Sequence, residues 1–160
     1  MAWNLLATDT LTGTSTTMST GTFAAKKNLK VEIYTINTGG VVNAKMQFNS
    51  DTGSNYSYRY NADGGSNTTA NSQTEIDLRM GELNGPAYSS TVIFNLSGQE
   101  KLSMTDVVNA NTSGPGSYPS WYVISGIWSN TSAQITSINL LKSAAGSFAS
   151  GSYITVYGTD

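Results

Sequence analysis

The chain has 160 residues, 8 basic and 10 acidic side chains for a net charge of −2, and neither cysteine nor histidine. That excludes disulfides, thiolate and imidazole nucleophiles and every Cys/His metal site together. A near-neutral chain whose one basic cluster is Lys26, Lys27 and Lys30 also lacks the charge of a nucleic-acid binder.

Charged residues make up 11% of the chain against a usual ~25%, and Ser, Thr, Asn and Gly supply nearly half of it. Aromatic and β-branched residues recur throughout, so the expectation is short strands joined by polar turns rather than disorder. The length suits one domain, residues 1–160, able to bury roughly 68–70% of its unfolded surface without metal or disulfide. No apolar run reaches 18 residues, so no membrane span is expected. The start, M-A-W-N-L-L-A-T-D-T, lacks the basic and apolar regions of a secretory signal.

Trp3 to Leu11 reads as a first strand with a bend. Thr12 to Thr22 fits an edge strand with Met18 inward, or a low-complexity loop. Leu29, Val31 and Ile33 alternate with Lys30 and Glu32 in a clearer strand, and Asn37 to Gly40 is a turn. Val42, Ala44, Met46 and Phe48 alternate with Asn43, Lys45, Gln47 and Asn49. The polar stretch Ser50 to Ser54 follows, then Tyr56, Tyr58 and Tyr60 on one face, which together predict a β-hairpin from Val42 to Asn61.

Ala62 to Asn67 is a turn. Ile76, Leu78 and Met80 point inward with Asp77 and Arg79 outward; Val92, Phe94 and Leu96 share one face of the next strand. Lys101 to Val108 alternates through Leu102 and Met104 and then loses its period, where a short helical turn fits. Asn109 to Pro119 holds Pro115 and Pro119 and reads as an exposed connection. Trp121 to Trp128 is a strand with Gly126 as a possible bulge. Ile135 to Leu141 and Tyr153 to Tyr157 complete the count, with a small-residue turn around Phe148 between them. Eight to ten strands without crossover helices make the fold class all-β, a single-domain antiparallel β-sandwich, and the long connections favour a jelly roll.

The chemistry available to such a chain is narrow. Glu75 and Asp77 lie two apart on one strand face, as a glycosidase pair could, or as ordinary outward charges. Asp51-Thr52-Gly53 matches the aspartic-protease triplet only in letters, because no apolar strand embeds Asp51, and a simple turn accounts for it. Asn49, Asp51 and Asn55 offer oxygen ligands without EF-hand spacing. No cofactor is called for. The aromatics carry more: Tyr118, Trp121, Tyr122 and Trp128 flank the proline-containing loop and could contact a glycan or protein, with sandwich core and rim as the plain alternative. Trp3 and Leu5 could form an apolar arm under a neighbouring subunit, or belong to an ordinary first strand.

Three segments carry a resemblance: M-Q-F-N-S-D-T-G-S-N-Y-S-Y-R-Y (Met46 to Tyr60), G-I-W-S-N-T-S-A-Q-I-T-S-I-N-L (Gly126 to Leu140) and G-S-F-A-S-G-S-Y-I-T-V-Y-G (Gly146 to Gly158). With the opening W-N-L-L-A-T-D-T-L, their order resembles small jelly-roll virion proteins of tailed bacteriophages, cyanophages and other phages of aquatic bacteria included. The resemblance covers about Leu5 to Gly158 and includes no catalytic motif. It implies a non-enzymatic capsid decoration or cement protein that clamps major-capsid subunits, sits on the virion surface and forms dimers or trimers. Tail- or fibre-associated glycan-binding modules share the pattern and stand as the alternative. Neither nucleic acid nor membrane is an expected partner. The strand at Thr14 to Thr20, or the C-terminus, is the expected open edge.

Overall fold

The computed structural model describes residues 2–82, 85–110, 116 and 118–160. These hold no helix. Their strands are β1 (Asn4–Thr10), β2 (Thr17–Ser19), β3 (Asn28–Thr35), β4 (Asn37–Thr38), β5 (Ala44–Phe48), β6 (Tyr56–Ala62), β7 (Asn67–Gln73), β8 (Ile76–Met80), β9 (Ala87–Phe94), β10 (Lys101–Asn109), β11 (Ser120–Trp128), β12 (Ile138–Lys142), β13 (Ser147–Phe148) and β14 (Tyr153–Thr159). An eight-stranded sheet, β1-β14-β3-β9-β10-β11-β6-β7, is packed against a four-stranded sheet, β2-β12-β5-β8, and β13 pairs with β4. All pairings are antiparallel, as expected where no crossover helix supports parallel strands.

The pairs β3·β14, β5·β12, β6·β11 and β9·β10 nest inside one another along the chain. Such nesting is that of a long antiparallel ribbon folded over itself. A jelly roll alternates its nested pairs between two sheets. Here β5·β12 enters the smaller sheet, whereas the innermost pair β9·β10 stays in the larger one, between β3 and β11.

The core alternation of the sequence holds in most strands. Leu29, Val31 and Ile33, then Val42, Ala44, Met46 and Phe48, then Ile76, Leu78 and Met80, and Ile154 with Val156 are all buried in one cluster. Met18 is buried on β2, which edges the smaller sheet. The predicted Val42-to-Asn61 hairpin does not form. Strand β5 pairs with β12 and β8, and β6 with β11 and β7, so the segment between them is a corner joining two sheets. The corner turns because Asn49 and Ser50 take left-handed φ values of 51° and 55°, a conformation asparagine tolerates better than most residues.

Other expectations are corrected likewise. The C-terminal strand β14 is flanked by β1 and β3, so the open edges of the larger sheet are β1 and β7. Strand β7, N-T-T-A-N-S-Q, has no apolar alternation to announce it and is held by its ladder to β6. Asp77 is buried rather than outward, accepting a hydrogen bond from the Arg79 main-chain N at 2.9 Å. Lys101 to Asn109 is strand throughout, without a helical turn. Gly126 is no bulge: the register β10–β11 runs unbroken from Lys101↔Trp128 to Asn109↔Ser120. A Cβ there would lie 2.6 Å from Ile76 Cδ1 and 2.6 Å from Ser103 Oγ, so the glycine serves close approach of the two sheets.

That close approach calls for mostly small inward side chains in the middle of the larger sheet and leaves large apolar ones outside. On β9 and β10 the buried positions are Ala87, Ser89, Thr91, Ile93 and Lys101, Ser103, Thr105, Val107, Asn109. The exposed ones are Tyr88, Val92, Phe94 and Leu102, Met104, Asp106, Val108. Small side chains beneath these strands leave room for Ile76, Leu78 and Met80 of β8. Parity therefore decides the effect of substitution here. Ile93→Ala should cost about 2–5 kcal/mol, whereas Met104→Thr, exposed and replaced by a good strand former, should stay within about 0.5 kcal/mol. Urea denaturation of the two variants measures both.

Candidate interaction surface

The outward side of the eight-stranded sheet is assembled from strands that are sequence-distant but in register. Val92 lies opposite Met104, and Phe94 opposite Leu102. Across β10, Leu102 faces Ile127, Asp106 faces Val123 and Val108 faces Trp121. On the other side, Tyr34 of β3 pairs with both Tyr88 and Tyr153. A band of apolar side chains thus crosses the sheet centre, with Met104 62%, Phe94 49% and Leu102 48% exposed. Its polar flanks are Thr8 and Thr155 on one side, hydroxyls 3.1 Å apart, and Arg59, Asn61, Thr69 and Asn71 on the other. A hollow of about 500 Å³ opens beside Phe94, Leu96 and Leu102, and a second of about 370 Å³ lies over Ser57, Arg59, Thr69, Ser125 and Ile127.

The aromatics singled out in the sequence separate. Trp121 and Tyr122 are neighbours on β11 and therefore point to opposite faces. Trp121 belongs to the outward face, its main-chain N bound to Asp63 Oδ1 at 2.8 Å. Tyr122 turns inward and donates to Glu82 Oε2 at 2.6 Å. Trp128 is 1% exposed, with its ring centroid 5.8 Å from that of Phe48 and 6.3 Å from that of Tyr56. It offers nothing to a ligand, because odd-even parity along β11 sends it into the core. Tyr118 is 86% exposed in the connection before β11, most of which lies outside the described residues, Pro115 included. Trp3 is exposed just before β1, and Leu5 is exposed opposite Tyr157 at the edge of the larger sheet. The chain thus begins as an ordinary strand, with Leu6 packed against the core.

What sequence reasoning missed is the band on β9 and β10. The alternation of Val92 with Phe94 and of Leu102 with Met104 was visible; its direction was not, because Ile93 and Val107 interleave on the opposite face.

Two polar clusters flank the core, one between the sheets and one at the corner. At one end the Arg79 guanidinium lies over the rings of Tyr60 and Tyr122, 4.9 and 5.8 Å from their centroids, and binds Glu82 at 2.5 Å. This packs a cation and its carboxylate over the tyrosine face of β6 and β11. Burial, then the bond to Glu82, pushes the Tyr122 phenol up to about 12. At the corner, Asp51 accepts hydrogen bonds from Gly53 N at 2.8 Å, Asn55 Nδ2 at 2.9 Å and Trp128 Nε1 at 2.7 Å. The Asp51-Thr52-Gly53 triplet is therefore a capped turn. Glu75 is engaged by Lys45 at 3.0 Å, and Asp77 is tied to Arg79 as above.

Burial pushes the Asp51 carboxyl up, but the hydrogen bonds from Asn55, Trp128 and Gly53 outweigh it and leave the group below 3.8. A carboxylate depressed in the folded state adds stability that is complete above its unfolded value and lost as pH falls through its folded value. The stability gap between the wild type and Asp51→Asn should therefore be largest near neutrality and close as the pH drops below 3.8; chemical denaturation at a series of pH values measures it.

No protein-family model matches the chain, and no curated protein matches it. Among solved structures, it is similar to the CBM2 module of the evolved Dit of Lactobacillus casei BL23 phage J-1. That likeness has 11% identity over 100% of this chain and 81% of the other, with a TM-score of 0.20. A second likeness, to infectious bursal disease virus Gt strain, has 12% identity over 98% of this chain and 41% of that one, with a TM-score of 0.14. Both scores lie below what a shared fold gives.

Proposed function

We propose that this chain is a non-enzymatic virion protein of a tailed bacteriophage, a decoration or cement protein that binds the assembled shell of major-capsid subunits. The observation that carries the reading is the exposed apolar band of β9 and β10. Tyr88, Val92, Phe94, Leu102, Met104 and Val108 point out of the sheet around Asp106, while most of the positions that point in, Ile93 and Val107 apart, are small or polar. Contiguous exposed apolar surface on a folded domain marks a site for association. The resemblance of the three sequence segments to small virion proteins supplies the kind of assembly. The protein is then made in the host cytoplasm and works on the capsid surface, where it adds contacts between subunits that packaged DNA pushes apart.

The second reading, a tail- or fibre-associated glycan-binding module, asks for flat exposed rings. Trp121 and Tyr118 meet that demand, while Trp128 is buried and Tyr34 and Tyr153 stack on each other at 5.8 Å with a 26° interplanar angle. The dominant exposed residues, Leu102, Met104 and Phe94, suit a protein partner better than a sugar.

Co-sedimentation with capsid shells that lack the protein tests the proposal. The expected result is saturable binding at a fixed ratio to capsid subunits and a raised shell melting temperature. Shells that neither bind it nor gain stability would refute the decoration role, and glycan binding abolished by Trp121→Ala would establish the second reading instead.

A further inference from the structure

We infer that the apolar face of the eight-stranded sheet is covered by a second copy of this chain, packed sheet against sheet about a two-fold axis. The inference rests on reading that face as an association surface and assigns shell binding to the rest of the dimer's surface, and three observations select the occupant.

The first is area. Eight strands spaced about 4.8 Å apart make a face about 34 Å wide, and the exposed rows from Tyr88 to Phe94 run about 20 Å along the strands. That is on the order of 700 Å², close to the ~800 Å² each partner contributes to a standard stable interface.

The second is charge. Among the described residues, the outward side chains of these strands include two cations, Lys30 and Arg59, and two anions, Glu32 and Asp106; Lys30 and Glu32 are 2.7 Å apart. The face is neutral. It selects no partner of opposite net charge and does not repel its own copy. A two-fold axis across the strands, between the Lys30 and Glu32 levels, would set Lys30 over Glu32 of the second copy, Arg59 over Asn61 and Asp106 over Met104, and so bring no two like charges together.

The third is layout. Apart from Asp106, mainly apolar side chains hold the centre, while threonine, asparagine and arginine, with Leu5 at one edge, hold the flanks, which approaches the core-and-rim anatomy of a protein interface. Sheets with apolar faces pack about 10 Å apart, and a two-fold contact uses the same patch on both copies.

Sedimentation equilibrium of the purified protein, up to about 100 µM, where even a modest pair forms, provides the test. The expected result is a dimer whose dissociation constant rises by about 30-fold or more in Met104→Glu, the loss that a central interface residue produces. Met104 points to solvent in the isolated chain, so the variant should keep its fold, checked by its circular dichroism and melting. Val108→Lys provides a second substitution on the same face should Met104→Glu not fold.

A monomeric wild type, a trimer, or a dimer indifferent to both substitutions would overturn the inference. So would a monomer that loses shell binding through Met104→Glu, since the face would then belong to the capsid subunit. Dimerisation without shell binding would sustain the two-fold face and remove the decoration role, so the two can fail separately.

Discussion

Each residue of a strand can face only one of two sides, and in this protein that constraint acts hardest on β9 and β10. The side facing β8 must be shallow, because Ile76, Leu78 and Met80 fill the space between the sheets. Gly126, Ser103, Ser89, Thr91 and Thr105 meet the demand by size. Polarity is not what they bring: Thr91 and Thr105 satisfy each other at 2.9 Å, but among the described residues the hydroxyls of Ser89 and Ser103 have no partner. A buried hydroxyl without a partner costs about 1–3 kcal/mol. With much of the inward side taken by small groups, Ile93 and Val107 aside, the other large apolar residues of the same strands occupy the outward side, and the exposed apolar band follows from that.

A sandwich with so polar an interior is held at its corners by buried side-chain amides. Asn95 donates to the carbonyls of Lys26 and Ile135 and accepts from the Ile135 N–H. Asn49 accepts from Thr136 N and Ser137 N and donates to the Gln134 carbonyl. The two asparagines fasten the segment leading into β12 from both sides, which seats Ile135 and Ile138 in the core without regular pairing through residues 129–137. Asn109 does the same beyond β8, accepting from Gly81 N and donating to the Arg79 carbonyl. Lys101 is buried beside Trp128, and its ammonium donates to the carbonyls of Gln99 and Asn130. Burial pushes its pKa down. Asparagine supplies a donor and an acceptor in a small volume, which suits a chain so rich in it.

The same economy explains what was legible in the sequence. Strands whose inner residues are large, such as Leu29-Val31-Ile33 or Ile76-Leu78-Met80, declare both their existence and their inward face. Strand β7 declares neither, because an edge strand with no buried side chain is held mainly by its backbone ladder. The corner at Asn49 to Asn55 looked like a hairpin because turn composition is the same whether a chain reverses within a sheet or crosses to another. What separates the cases is the pairing of β5 with β12 and of β6 with β11, contacts between residues 90 to 98 and 60 to 72 positions apart. The aromatic set was recognised by composition and separated by parity. Trp121 stayed outside, Tyr122 and Trp128 turned in, and the aliphatic band beside Trp121 went unnoticed because its alternation fits a core strand equally well.

The open edges bear on how such a molecule associates. Strands β1 and β7 end the larger sheet with unpaired backbone groups, and β7 exposes only threonine, asparagine and serine around them. Edge pairing between copies would extend a sheet without limit unless geometry closed it. These edges have few apolar side chains to drive it, Leu5 being the exposed exception on β1. The apolar area is concentrated on the face, where two copies related by the proposed two-fold axis would cover each other and leave nothing to propagate. A chain that carries its apolar surface at the sheet centre and polar residues along its edges therefore favours a closed pair over a fibre, and leaves the smaller sheet, the edges and the loops free to meet a larger assembly.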